Sequence, residues 1–139
     1  ALRDLAPSIE RRQVELAVDL EEAAPPVRAG SALGQVFDCL IGNALEAVSK
    51  GGRIDVSTRR RRGRAEVEVK IADNGPGIMR ENLGQLFRPY FTTKRGGLGL
   101  GLGLSRRIVA RSGGTLSLES QVGRGTTAIV RLPAAEADA

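Results

Sequence analysis

Three groups of residues in this chain have types and spacing that could do chemistry. The first is Gly96-Gly97-Leu98-Gly99-Leu100-Gly101-Leu102-Gly103-Leu104-Ser105, which runs into a helical pattern from Ser105 to Arg111. A glycine-rich turn feeding a helix N-terminus offers free N–H groups and the positive end of the helix dipole, a combination suited to phosphate. The bland alternative is a flexible Gly-Leu linker. The second group is Asp73 with Asn74-Gly75-Pro76-Gly77. Asp73 shares the parity of Val67, Val69 and Ile71, so a carboxylate arrives on the core-facing side where a strand gives way to a loop. An inward carboxylate needs a partner, because burying an unpaired charge is costly. That partner is either its own loop or a ligand. The third group is the strip Cys39, Asn43, Glu46 and Lys50, along one edge of an amphipathic helix, where it would border a cleft.

Histidine is absent, which excludes His–Cys zinc sites, Ser-His-Asp triads and Cys-His pairs within the chain. Neither GxxxxGK[ST] nor GxGxxG occurs, so a nucleotide site here needs another architecture. The 139 residues suffice for one domain that buries roughly 70% of its unfolded surface. The start at Ala1 reads as an excised piece of a larger protein. No run of about 18 apolar residues and no signal-peptide pattern occurs, and the lone Cys39 forms no internal disulfide, so a soluble, cytoplasmic, reducing setting is expected. The net charge is +5, with its densest run at Arg59-Arg60-Arg61-Arg62 and Arg64. That run is expected in a solvated hairpin turn. Scarce aromatics argue against a base-stacking platform, and no nucleic-acid partner is expected. Phe87, Tyr90 and Phe91 cluster and would anchor one loop.

These groups must be positioned by elements that hydrophobic periodicity makes legible. Leu2 to Arg12 reads as a short helix, and Val14 to Leu20 alternates as a half-buried strand. Ser31 is a plausible N-cap for the longest helix, Ala32 to Lys50, whose apolar stripe runs from Leu33 to Val48 and ends at Gly51-Gly52. Ile54, Val56 and Thr58 mark one strand and Ala65 to Ile71 a second, continuing in parity to Asp73. Glu81 to Leu86 reads as a short helix and Phe87 to Lys94 as a loop. After the Gly-Leu segment a helix runs to Ser112, stopped by Gly113-Gly114. Leu116 and Leu118 begin a strand, Gly123-Arg124-Gly125 turns the chain, and Thr126, Ala128, Val130 and Leu132 share a parity in the last one. The expected fold is α+β, a two-layer sandwich of about five strands in a mixed sheet with three main helices on one face. It occupies residues 1–133, with 134–139 a disordered tail.

Four separated motifs then carry a family resemblance. The segment Gln35 to Ala47 resembles the N box of sensor histidine kinase catalytic domains, and Asp73-Asn74-Gly75-Pro76-Gly77-Ile78 their first glycine box. Leu86 to Lys94 resembles the F box and Gly99 to Ser105 the second glycine box. The chain is thereby similar, over residues 2–133, to the ATP-binding domains of the GHKL superfamily (Bergerat fold), and Phe91-Thr92-Thr93-Lys94 looks most like the nitrogen-regulator type. The resemblance implies ATP and Mg²⁺ as cofactors. Asn43 would ligate Mg²⁺ through its side-chain oxygen. Asp73 would accept a hydrogen bond from the adenine amino group, with Thr126 beside it. Gly75 and Gly77 would let the backbone pass close to the purine. Lys94, Gly99 and the N–H groups of Gly101, Leu102, Gly103 and Leu104 would face the phosphates.

The sequence also departs from the family. Cys39 stands where many histidine kinases have Asn and hydrolysing GHKL enzymes have a general-base Glu. Glu46 stands where many have a basic residue. The implied function is transfer of the γ-phosphoryl of Mg·ATP to a histidine in a dimerisation domain outside this chain, in cis or in trans, with a response regulator downstream. A nucleotide-binding regulatory module (pseudokinase or anti-sigma-type serine kinase) is the alternative, and a GHKL ATPase clamp a weaker one. No membrane segment is expected in this chain, which leaves room for an anchor elsewhere in the full-length protein.

Overall fold

The computed structural model describes residues 15–20, 31–48, 51–61, 63, 65–88 and 101–133. Among them, strand β1 (Glu15–Leu20) leads to helix α1 (Ser31–Ala47), then β2 (Arg53–Arg61) and β3 (Glu66–Asp73). The short helix α2 (Arg80–Leu83), helix α3 (Gly101–Arg111), β4 (Thr115–Gln121) and β5 (Gly125–Pro133) complete the order. The five strands form one sheet in the order β1-β2-β3-β5-β4. β1 runs parallel to β2 and every other pair is antiparallel. The parallel pair needs a crossover, and the span between them contains α1. The expected α+β architecture with a mixed five-stranded sheet is therefore observed. The helix expected over 2–12 and the tail over 134–139 lie outside the described residues.

Alternation decides which face of the sheet is buried. The register places Val56, Ile71, Ala128 and Leu118 in one cross-strand row. Val69, Val130 and Leu116 share the next row, and Val67 faces Leu132 beyond it. Against these rows lies the stripe of α1, Leu33, Val36, Leu40, Ile41, Ala44 and Leu45, with Val48 just past its end, all buried and joined by Val109 of α3. The i, i+3, i+4 spacing of that stripe is what turns one side of α1 onto the sheet. Among the described residues no helix is long and apolar enough to cross a membrane.

The opposite face of the sheet is charged. Glu68 accepts from Arg131 at 3.0 Å and lies 3.6 Å from Lys70, and Arg61 pairs with Glu66 at 3.1 Å. These pairs correct one expectation. Arg59, Arg60 and Arg61 do not sit in the hairpin turn; they extend β2, with Arg59 opposite Glu68 and Arg61 opposite Glu66. Opposite charges directly across an antiparallel pair favour continued pairing. Between the strand ends Arg61 and Glu66, Gly63 (φ +82°) and Ala65 (φ +49°) take left-handed backbone.

Other boundaries shift by between one residue and about one turn. α1 is helical from Ser31, and its last described hydrogen bond joins the Val48 N–H to the Ala44 carbonyl; residues 49 and 50 are outside the description. The short helix closes at Leu83 instead of Leu86. α3 is already helical at Gly101, before the predicted Ser105.

Candidate functional site

β3 delivers Asp73 to the end of the buried face, in a row with Ile54, Thr126 and Ser120. Beyond it the chain cannot continue as strand. Asp73 Oδ1 accepts the Gly75 N–H at 2.9 Å and the more distant Thr126 N–H at 3.4 Å. Asn74 Oδ1 accepts the Arg53 N–H at 2.8 Å. The loop is then stitched to the β4–β5 turn: the Gly123 N–H donates to the Pro76 carbonyl at 2.8 Å, and the Ile78 N–H to Ser120 Oγ at 2.7 Å. Gly77 makes this stitch possible. Its φ is +79°, and a Cβ there would collide with the Gln121 carbonyl, so only glycine fits.

Thus one oxygen of Asp73 serves its own loop. Among the described residues Oδ2 accepts no hydrogen bond. Half-burial lifts the Asp73 pKa above the ordinary 3.8, against the opposing N–H bonds from Gly75 and Thr126. The group is an acceptor with spare capacity in a partly desolvated place.

It faces a cavity of about 220 Å³. α1 lines one wall with Leu40, Asn43, Ala44, Glu46 and Ala47; the sheet lines the other with Ile71, Asp73, Leu118, Thr126 and Ala128. Pro76, Gly77, Ile78, Leu86 and Leu102 close it. The interior is chiefly apolar, with Asp73 and Thr126 on the sheet wall and Asn43 and Glu46 on the helix wall. The expected residues Asn43, Asp73, Gly77, Leu102 and Thr126 therefore share one cavity. Gly75 stands beside it, where a Cβ would meet the Ala47 carbonyl at 2.7 Å.

Gly101, Leu102, Gly103 and Leu104 form the first turn of α3 as described, the turn whose N–H groups have no acceptor within a helix. Two of these positions are tightly packed. A Cβ on Gly101 would lie 3.0 Å from Cys39 Sγ, and one on Gly103 would lie 2.6 Å from the Phe87 carbonyl oxygen. The start of α3 is thereby packed onto α1 and onto Phe87, whose ring lies 4.5 Å below the Arg106 guanidinium. Lys94 and Gly99 lie outside the described residues, as do Tyr90, Phe91 and Lys50.

Cys39 lies at the edge of this site, its Sγ 3.9 Å from Asn43 Nδ2. It supplies no carboxylate there. Asp38 does not line the cavity; its Oδ1 is buried without a hydrogen-bond partner. For a metal, no group of three or more His, Cys, Asp or Glu residues occurs among the described residues. A divalent ion that draws most of its ligands from phosphate and water would fit a lone Asn43; a protein-caged ion would not.

Sequence reading missed Ser120, which holds Ile78 and Thr126 together. It shares its parity with Leu116 and Leu118, and that parity was the signal available.

The sequence profile of the histidine kinase-, DNA gyrase B- and HSP90-like ATPases matches residues 29–136. The chain is 37% identical over 123 residues to sensor histidine kinase ZraS of Escherichia coli (strain K12), covering 88% of this chain and 26% of ZraS. It therefore spans about a quarter of the length of that relative. The catalytic domain of histidine kinase ThkA superposes with a TM-score of 0.84 at 28% identity, covering 94% of this chain and 86% of that one. Full-length ShkA in complex with AMPPNP superposes with a TM-score of 0.79 at 25% identity, covering 95% of this chain and 29% of that one.

Proposed function

The chain belongs to the histidine kinase-, DNA gyrase B- and HSP90-like ATPase family, and from that premise we propose that it binds Mg·ATP and donates the γ-phosphoryl to a histidine outside itself. The observation that carries this is the Oδ2 of Asp73, which accepts no hydrogen bond among the described residues, on the wall of a chiefly apolar cavity. An adenine edge satisfies it: the 6-amino group donates to Oδ2, while Leu40, Ala44, Ile78 and Leu118 exclude water from the ring faces. The ShkA complex with AMPPNP supports a nucleotide as the ligand.

The cavity of about 220 Å³ is smaller than the roughly 300–1,000 Å³ that whole drug-sized ligands fill. It suits the base, and leaves the phosphates at its mouth. There the N–H groups of Gly101, Leu102, Gly103 and Leu104, in the first described turn of α3, would meet them, and no acidic residue occupies that turn. Lys94 and Gly99 would approach the same phosphates. Asn43 would hold Mg²⁺ through its side-chain oxygen; when bound, the ion neutralises phosphate charge. What this chain does is position and desolvate: the bond from phosphorus to the bridging oxygen breaks, ADP leaves, and a phosphorus–nitrogen bond forms to the incoming imidazole.

With no histidine present, that imidazole belongs to a dimerisation domain in cis or in trans. A response regulator would take the phosphoryl onward; ThkA has been solved in complex with a response regulator protein. Cys39 stands where hydrolysing members of the family carry a general-base Glu, and a thiol in that place weighs against a hydrolytic clamp.

Calorimetric titration of the chain with ATP, with and without Mg²⁺, tests this reading. ATP is expected to bind, and Asn43→Ala is expected to abolish the Mg²⁺ dependence while leaving Mg²⁺-free binding intact. A folded chain that ignores ATP, or an Asn43→Ala variant with undiminished Mg²⁺ dependence, contradicts it. A serine-phosphorylated product would instead favour the anti-sigma-type alternative.

A further inference from the structure

Ser120 Oγ makes three contacts: the Ile78 nitrogen at 2.7 Å, the Gly125 carbonyl oxygen at 3.0 Å and Thr126 Oγ1 at 2.8 Å. A serine hydroxyl has one proton and two lone pairs. The Ile78 N–H can only donate and the Gly125 carbonyl can only accept. The three contacts are all hydrogen bonds in a single proton arrangement. Ser120 gives its proton to Gly125, and receives one from Ile78 and one from Thr126. In the reverse arrangement, with Ser120 donating to Thr126, two bare oxygens would face each other at 3.0 Å across the Ser120–Gly125 contact.

From this geometry we infer that Ser120 is a positioning residue for base recognition, holding the Thr126 hydroxyl as an acceptor only. Thr126 lies directly across the strand pair from Asp73, and the two line the same cavity. With the Thr126 proton committed to Ser120, neither side chain offers a proton from the sheet wall. Such a wall selects a purine that donates at position 6. Adenine carries an amino group there; hypoxanthine carries an oxo group with lone pairs only. Asp73 sets most of the preference. Ser120 removes the escape route in which Thr126 turns and donates to a 6-oxo group. The inference rests on the nucleotide reading above and extends it from binding to base selectivity.

The test is the ratio of Kd for ITP to Kd for ATP, measured by calorimetry on the full chain. Wild type is expected to prefer ATP. Ser120→Ala frees the Thr126 proton, so ITP should gain on ATP and the ratio should fall about fivefold, the worth of one neutral hydrogen bond. A merely structural Ser120 would weaken both nucleotides in proportion and leave the ratio unchanged, which overturns the inference. Ser120→Cys keeps the shape of the side chain while exchanging the hydroxyl for a larger, weakly hydrogen-bonding thiol, and provides the same comparison if the alanine variant does not fold. In a Thr126→Val background, where no hydroxyl remains to be oriented, Ser120→Ala should leave the ratio unmoved; a shift there also overturns the inference. The two failures are separable. Folded wild type that binds no ATP overturns the nucleotide reading, whereas ATP binding with an unresponsive ratio overturns only the role of Ser120.

Discussion

Asp73→Asn exchanges one oxygen for an NH₂ group, yet it should move ligand affinity and stability in opposite directions. The amide oxygen can keep the bonds that Oδ1 now makes to the N–H groups of Gly75 and Thr126, so the loop retains its anchor. The other atom changes from acceptor to donor and meets the adenine amino group donor to donor. A hydrogen bond to a charged group contributes about 1.5–3 kcal/mol, so ATP affinity should fall about 10- to 150-fold. Stability follows from the raised pKa of Asp73, whose chief cause is burial. An acid with a folded-state pKa above its unfolded value holds its proton more tightly when folded. Its contribution to stability therefore grows as pH falls from above the folded pKa toward the unfolded one, and above that window the ionised form is a net cost. The nucleotide-free Asp73→Asn variant should thus melt at or above the wild-type temperature at neutral pH. It should also lack the part of the profile in which wild type loses stability as pH climbs from about 4 through the raised pKa. Calorimetric titration with ATP and thermal melts from pH 4 to 8 read both effects. A variant that binds ATP within about threefold of wild type, or that melts well below it at pH 7, would refute the reasoning.

Four further substitutions probe the fold that carries the site. Gly103→Ala drives a Cβ against the Phe87 carbonyl at 2.6 Å, so despite better helix propensity it should cost about 1–2 kcal/mol in denaturant titration. Gly42→Ala is the matched control: a Cβ there meets nothing within 4 Å, and the chain should gain about 0.5–1 kcal/mol. For Glu68, burial opposes ionisation, but the Arg131 hydrogen bond and the charges of Lys70, Arg131 and Arg61 outweigh it and hold its pKa below the ordinary 4.5. Its stabilisation is present above the unfolded pKa and lost as pH falls through the lower folded value. Glu68→Gln should flatten that acid limb of the melting profile and cost under about 1 kcal/mol at pH 7. Asp38→Leu removes the orphaned buried Oδ1 and should raise the melting temperature, with a gain of about 1 kcal/mol.

Much of the fold was legible because it is local. The apolar rhythm from Leu33 to Val48 specifies a helix and the side it buries, and alternation from Val67 to Ile71 specifies a strand with Asp73 inward. The absence of histidine by itself places any histidine phosphoacceptor outside this chain. The end of β2 was misjudged because Arg59 to Arg61 look like turn residues until Glu66 and Glu68 stand opposite them. Sheet order was not legible at all. β5 inserts between β3 and β4, and only that insertion sets Thr126 against Asp73 and Ser120 against Thr126. Periodicity reports which face of a strand is buried, because that depends on its own side chains. Which strand lies beside it depends on where loops close and edges meet, a property of the whole chain. The spare oxygen of Asp73, the fit of Gly77 against Gln121 and the proton arrangement around Ser120 all arise from contacts between residues far apart in sequence, and only the tertiary structure decided them.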